Sequence, residues 1–253
     1  MPFIQGIAED SATGLLAEFF AADRRSWGYL PNLATTFGIR PAVYQAWRQL
    51  NGAIKGTMDP RRYELVTVAA AVELRSSYCA LAHGRVLVDQ ELMSEEEVID
   101  LALDPEAASL TPVDRAVTSL ARKIVGGAVD VADQDIVALR EFGLSDEEIF
   151  DVVLAAAARC FFSKTLDATG TTPDAAFSDL SQPLRDALTV GRQIDGPVEV
   201  AARTQTVASH PPESAGGDEH HADPVIEGGL QRLGDTVAPR IAQKMKPETL
   251  GTG

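Results

Sequence analysis

The stretch YELVTVAAAVELRSSYCALAHGR, residues 63–85, decides how the chain folds. Leu65, Val68, Ala69 and Val72 give its first half a continuous apolar face at spacings of three and four, the period of a helix. Asp59-Pro60 just upstream supplies a start signal, because proline's fixed φ suits the first helical turn. The tetrapeptide RSSY, residues 75–78, interrupts the pattern weakly, and Tyr78 to Gln90 forms a second helical segment. The two helices are expected to meet near residues 75–78 and fold back as a hairpin, with Cys79 in the first turn of the second. Within so much alanine, valine and leucine stand one acid, one cysteine and one histidine: Glu64, Cys79 and His83.

Helical signals continue on both sides. SATGLLAEFFAADRR has a cap candidate in Ser11 and apolar Leu15, Leu16, Phe19 and Phe20. WGYLPNLATTFG is a turn and a short helix, with Pro31 in a first-turn position, and Val43, Trp47, Leu50 and Ile54 recur at helical spacing in the next segment. Downstream, Ser94 with Glu97 and Ser145 with Glu148 are capping boxes. SEEEVID, residues 94–100, and SDEEIFD, residues 145–151, match position by position at an offset of 51, and MDPRRYELVTVA loosely echoes LTPVDRAVTSLA upstream of them. The chain therefore reads as internally duplicated antiparallel helices, in copies of about fifty residues. Only the first copy holds Glu64, Cys79 and His83.

The fold class is all-α, a helical bundle over residues 1–194 with a flexible C-terminal tail over 195–253. Residues 195–224 are rich in Pro, Gly, Ser and acid and too poor in large apolar groups to offset their ordering entropy, so they read as a disordered linker. A short helix is expected near 225–245. The formal charge of −15 disfavours nucleic acid and anionic membrane as partners, because like charges repel. No run of eighteen uncharged apolar residues is present to span a bilayer. The amino terminus lacks the basic and apolar regions of a signal peptide, and two cysteines make no disulfide framework; both point to the reducing cytoplasm.

Cys79 and His83, four apart, share a helix face. The unsatisfied N–H groups of a first turn favour a thiolate at Cys79, and a histidine in reach can take the thiol proton. Glu64, approaching from the facing helix, can hold that imidazole in one tautomer. No other Cys-His cluster accompanies the pair, so no metal is expected, and the tail histidines His210, His220 and His221 lie in a solvated tract. Nothing in the chain calls for a cofactor. Cys160, in the apolar AAAARCFF, is expected to be buried and inert, too far from Cys79 to bond with it.

These residues resemble the alkylhydroperoxidase D and carboxymuconolactone decarboxylase superfamily, which carries a glutamate, eleven residues, then Cys-x-x-Cys-x-x-x-His. Here Glu64 is followed by eleven residues and then Ser76-Ser77-Tyr78-Cys79-Ala80-Leu81-Ala82-His83. WGYLPNL, residues 27–33, resembles the segment preceding the motif in the peroxidase-related branch, and CFFSKTLDATGTTPD, residues 160–174, resembles the closing helix. The resemblance implies a homo-oligomer, trimer or hexamer, and a cysteine-dependent peroxidase acting on a hydroperoxide or another small molecule. It makes Cys79 the nucleophile, His83 the base and Glu64 its orienter. Ser76 occupies the position of the resolving cysteine, where a hydroxyl can hydrogen-bond a thiolate but form no disulfide, so an external thiol reductant is required. Two alternatives stand beside this one. One is a lyase like the lactone decarboxylases, in which Glu64 and His83 transfer a proton and the serine is no handicap. The other is a catalytically degenerate scaffold.

Overall fold

The computed structural model describes residues 2–196, and among these every regular element is helical. The ten α-helices are α1 (Gly14–Trp27), α2 (Asn32–Phe37), α3 (Pro41–Thr57), α4 (Pro60–Glu73), α5 (Ser77–Asp89), α6 (Glu95–Leu103), α7 (Pro112–Gly127), α8 (Asp133–Glu141), α9 (Asp146–Thr169) and α10 (Gln182–Leu188). From residue 197 onward, the expected linker and the expected helix near 225–245 lie outside the described residues. No helix among the described residues is long and apolar enough to cross a membrane.

Helix α4 is the centre of the body. Asp59 caps it by accepting the Arg62 N–H at 2.8 Å, and Pro60 opens its first turn. Tyr63 through Ala71 are all buried, so this helix is enclosed around its whole circumference rather than along one stripe. Alanines at 69, 70 and 71 let neighbours approach closely, and α5, α7 and α9 all pack against it. The helix stops where expected: Arg75 takes a left-handed conformation with φ 56°, uncommon for a residue with a Cβ. Its N–H and that of Ser76 return to the carbonyls of Val72 and Ala71, satisfying the last turn. Helix α5 then runs back along α4, which completes the hairpin.

The duplication is visible in the caps. Both capping boxes form reciprocally, Ser94 with Glu97 and Ser145 with Glu148. Helices α4 and α7 both start with proline after a side-chain cap, Asp59 in one and Thr111 in the other. The two leading helices pack together, and a bidentate ion pair joins them: the Arg61 guanidinium donates to both Asp114 oxygens at 2.7 and 2.9 Å. The copies diverge at their third helices, α6 having 9 residues and α9 having 24.

Helix phase differs from expectation in two places. On α3 the buried positions are Tyr44, Trp47 and Ile54, while Val43 and Leu50 face outward. On α1 Leu16 and Phe20 are buried, Phe19 half-buried, and Leu15 exposed. In both helices adjacent apolar residues compete for one inward direction, and packing selects the one that meets α2 and α9.

Asp114 combines two jobs, accepting the Arg61 fork and closing the α7 capping box with Thr111. Replacing it with alanine removes a cap and a charge-assisted pair, an expected loss of about 2–4 kcal/mol in urea unfolding. A loss below about 1 kcal/mol would show that the α4–α7 junction does not depend on this pair.

Candidate active site

Glu64, in the second turn of α4, is 1% exposed, and a carboxylate so placed must be paired. Its Oε1 accepts from Lys55 Nζ at 2.7 Å, reaching in from the last turn of α3. Its Oε2 lies 2.5 Å from His83 Nδ1, across the hairpin on α5. Burial alone would raise the Glu64 pKa, but His83 and Lys55 outweigh it and hold the group below the usual carboxylate range. The acid therefore stays ionised.

The other ring nitrogen of His83 settles its tautomer. Arg159 Nη1 on α9 stands 3.2 Å from Nε2, and a guanidinium only donates. Nε2 is therefore the acceptor, and Nδ1 carries the hydrogen that it donates to Glu64 in a hydrogen bond. Burial, the largest influence, lowers the His83 pKa; Glu64 raises it, Arg159 and Lys55 lower it, and the net shift is downward, so the imidazole is neutral at pH 7. Tyr63 meets the ring edge-on at 6.0 Å, fixing its plane.

Arg159 is 2% exposed. Its Nη2 donates to Asn51 Oδ1 at 2.9 Å, and that oxygen also accepts from the Tyr63 hydroxyl at 2.7 Å. The guanidinium carbon lies 5.0 Å from the Trp47 ring and 5.4 Å from Phe162, which are themselves stacked. Every one of these contacts is with a neutral group. Its Nε has no partner at all.

Cys79, in the first turn of α5, is buried and reduced. Its surroundings correct the expectation that the helix start would favour a thiolate. Burial pushes the thiol pKa up, and the largest opposing influence is the charge of Arg159, followed by the hydroxyls of Ser163 and Ser76. A helix-terminal partial charge cannot match the loss of hydration around an enclosed sulfur. The His83 nitrogens are turned to Glu64 and Arg159, so neither bonds the sulfur. Glu64 and His83 are thus brought together directly, while Cys79 joins them through the field of Arg159.

Ser76 is the N-cap residue of α5 and is completely buried, yet it makes no cap hydrogen bond. Ser163, one turn beyond Arg159 on α9, is equally buried. The two hydroxyls lie near enough to the thiol to favour its ionised form, but neither makes a hydrogen bond of acceptable geometry in this state. Thr67, one turn beyond Glu64 on α4, also keeps a buried hydroxyl without a partner. Asp174, in the segment after α9, anchors the start of α5: its Oδ2 accepts from the Tyr78 hydroxyl at 2.5 Å and its Oδ1 from the Asn32 N–H at 2.7 Å. Among the described residues no three His, Cys, Asp and Glu side chains converge as a metal site requires.

Cys160 was expected in the core and is only partly buried. Successive residues on a helix point about 100° apart, so the turn that directs Arg159 inward leaves Cys160 at the margin. Arg159, Lys55, Asn51 and Ser163 were not singled out from the sequence. For Arg159 a signal existed: a cation within AAAARCFF, with Ala155, Ala156, Phe162 and Ser163 at the neighbouring helical positions and so no local acid.

The all-helical body, with its hairpin of enclosed helices, is similar in fold to alkylhydroperoxidase D-like structures. Residues 41–123 match the model of the Carboxymuconolactone decarboxylase family. That match spans Glu64, Ser76, Cys79 and His83 and leaves Arg159 outside. A peroxidase-related protein from Ralstonia eutropha JMP134, described as an alkylhydroperoxidase AhpD core, superposes with a TM-score of 0.64 at 22% identity, over 70% of this chain and 94% of the other. A peroxidase-related protein from Silicibacter sp. TM1040 gives 0.62 at 18% identity, over 69% and 94%. The debrominase Bmp8, in complex with 2,3,4-tribromopyrrole, gives 0.58 at 14% identity, over 73% and 95%. No curated protein matches the chain by sequence.

The neutral state of His83 has a measurable consequence. Its folded pKa lies below the unfolded value of about 6.5, so between the two the unfolded chain binds a proton that the folded chain refuses. Stability is therefore complete above that range and falls as pH drops through it. Urea unfolding should show the midpoint decreasing on acidification from about pH 7.5 to 5.5, and His83→Asn should flatten that dependence. A wild-type midpoint that rises on acidification would mean that the imidazole is charged in the folded protein.

Proposed function

We propose that the protein is a thiol-dependent redox enzyme that reduces hydroperoxides, using Cys79 with an external thiol as reductant. The observation that carries this reading is the line Lys55–Glu64–His83–Arg159, which runs inward from the exposed Lys55 and ends in a positive charge beside the enclosed Cys79. A thiol is reactive as its thiolate, and burial opposes ionisation. Arg159 is the group that offsets burial, and a neutral His83 held by Glu64 is a base able to accept the proton once Arg159 turns from Nε2 toward the new anion. The peroxidase-related names of two structural neighbours support the same chemistry.

In the cycle the Cys79 sulfur attacks the terminal oxygen of R–O–O–H. An S–O bond forms, the O–O bond breaks, and the alcohol departs with the proton. Sulfur is oxidised and the peroxide reduced. With serine at position 76 no neighbouring thiol closes a disulfide. An external thiol condenses with the sulfenic acid, releasing water, and a second thiol returns Cys79 to its reduced form. Because Cys79 is 1% exposed, substrate entry requires the covering side chains to move.

A second reading has its own support. The Glu64–His83 pair is complete without any contact to Cys79, which suits proton transfer in a lyase of the decarboxylase type. One substitution separates the two. Cys79→Ser is expected to reduce consumption of an organic hydroperoxide, supplied with a dithiol, to background, and His83→Asn to lower it by roughly 10²-fold. Turnover that survives Cys79→Ser but is lost in Glu64→Gln would favour the lyase.

The helical body would act as a homo-oligomer, its exposed Val43, Leu50 and Phe161 offering apolar surface to another copy. Sedimentation equilibrium should return a trimer or hexamer, and a monomer at micromolar concentration would remove this part of the proposal.

A further inference from the structure

Four buried polar groups around the hairpin have no partner: the hydroxyls of Thr67, Ser76 and Ser163 and the Nε–H of Arg159. Buried polar groups in folded proteins are nearly always satisfied, so several at one place mean that an acceptor is missing. Three of them, Ser76, Ser163 and Arg159, belong to residues that bear on the Cys79 thiol. Arg159 makes the case stronger. It is a buried guanidinium whose hydrogen-bond and ring contacts are all neutral; of the two carboxylates near the thiol, Glu64 is engaged by Lys55 and His83, and Asp167 lies toward Ser76 and Arg192 without a hydrogen bond of acceptable geometry to the Ser76 hydroxyl. A buried cation without an anion is an incomplete pair.

The missing group must be small, negatively charged and rich in acceptor lone pairs. It must also arise inside a sealed site, because Ser76, Ser163, Arg159 and Cys79 are between 0% and 2% exposed. We propose that it is the oxygen of oxidised Cys79, a sulfenate held by the Ser76 and Ser163 hydroxyls and by Arg159. The proposal rests on the thiol reading of the site and adds a property to it: oxidation completes the site, and the one-oxygen state is the form these residues are arranged to keep. Attack on a hydroperoxide adds that one oxygen to sulfur and releases the alcohol. The resulting S–O⁻ supplies both the negative charge that Arg159 lacks and the lone pairs that the two serines lack. Ser76 then has a role of its own. Where a cysteine would consume the sulfenic acid by forming a disulfide, a serine donates to its oxygen and prolongs it. Ser163 is the second donor, from a different helix, and acts as a positioning residue.

The experiment follows the lifetime of that state. Full-length protein, freed of thiols, receives one equivalent of hydrogen peroxide followed by catalase. Intact-protein mass spectrometry then records the gain of one oxygen, and dimedone added at intervals counts the remaining sulfenic acid at Cys79. The wild type should hold the one-oxygen state. Ser163→Ala and Ser76→Ala should each shorten its half-life roughly fivefold, the effect of one lost hydrogen bond, with a matching rise of the two-oxygen sulfinic form. Ser163→Thr, which keeps the hydroxyl, should restore most of the lifetime. Circular dichroism melts confirm that each variant is folded, and should one serine variant fail to fold, the other decides. Equal half-lives in the wild type and in the folded alanine variants, with Cys79 still gaining one oxygen, would overturn this inference and leave the thiol reading intact. A Cys79 that gains no oxygen from peroxide would overturn both.

Discussion

The burial of one carboxylate organises the centre of this protein. Glu64 cannot stay ionised inside the bundle without partners, and it finds two that come from different helices. Lys55 secures the end of α3 against α4, and His83 secures α5 across the hairpin. Because His83 donates its Nδ1–H to Glu64, the opposite nitrogen of the neutral ring is an acceptor, which gives Arg159 on α9 its place. Asn51 and Tyr63 complete the ring of contacts. Four helices are thereby tied to one charge, and three of them come to the site from the first half of the body. Replacing the acid by a neutral group of similar shape would leave Lys55 and Arg159 without the arrangement that separates their charges.

What was legible in the sequence followed from local rules. The α4–α5 hairpin could be read because its apolar spacing and the break at Arg75-Ser76 are short-range signals. The meeting of Glu64 with His83 follows from any hairpin that pairs those helices, and the capping boxes require only a serine and a glutamate three apart. Two things were hidden. The state of the Cys79 thiol was judged from its place in the helix, whereas enclosure by α4 and α9 governs it. Arg159 lies 76 residues from His83, and only the folded chain brings them together. The phase of α1 and α3 was obscured for a similar reason, since neighbouring apolar residues look alike until another helix selects one.

The duplication helps to explain why Glu64, Cys79 and His83 sit in one copy only. Both copies supply a leading helix with a proline start, and these pack together through Arg61 and Asp114. The second copy then invests its length in α9, whose 24 residues cross beside the hairpin. That helix brings Arg159, Ser163 and, a turn later, Asp167, a half-buried acid whose pKa burial raises. The first copy holds the thiol and the imidazole; the second sets the electrostatics around them. The family match ends at residue 123, before this contribution begins.

The stacked pair of Trp47 and Phe162 beneath Arg159 gives the protein a built-in optical reporter. The chain has two tryptophans, and Trp27 stands at the surface while Trp47 is buried with its ring 4.6 Å from Phe162 and 5.0 Å from the guanidinium. An indole's emission follows the electric field across its ring, because its excited state carries a larger dipole than its ground state. A guanidinium held over the ring contributes much of that field. Any event that neutralises or displaces Arg159 changes the colour of Trp47 while leaving Trp27 as a steady solvent-exposed background. The charge state of an enclosed sulfur can thus be followed by light, in the native chain and without an added label.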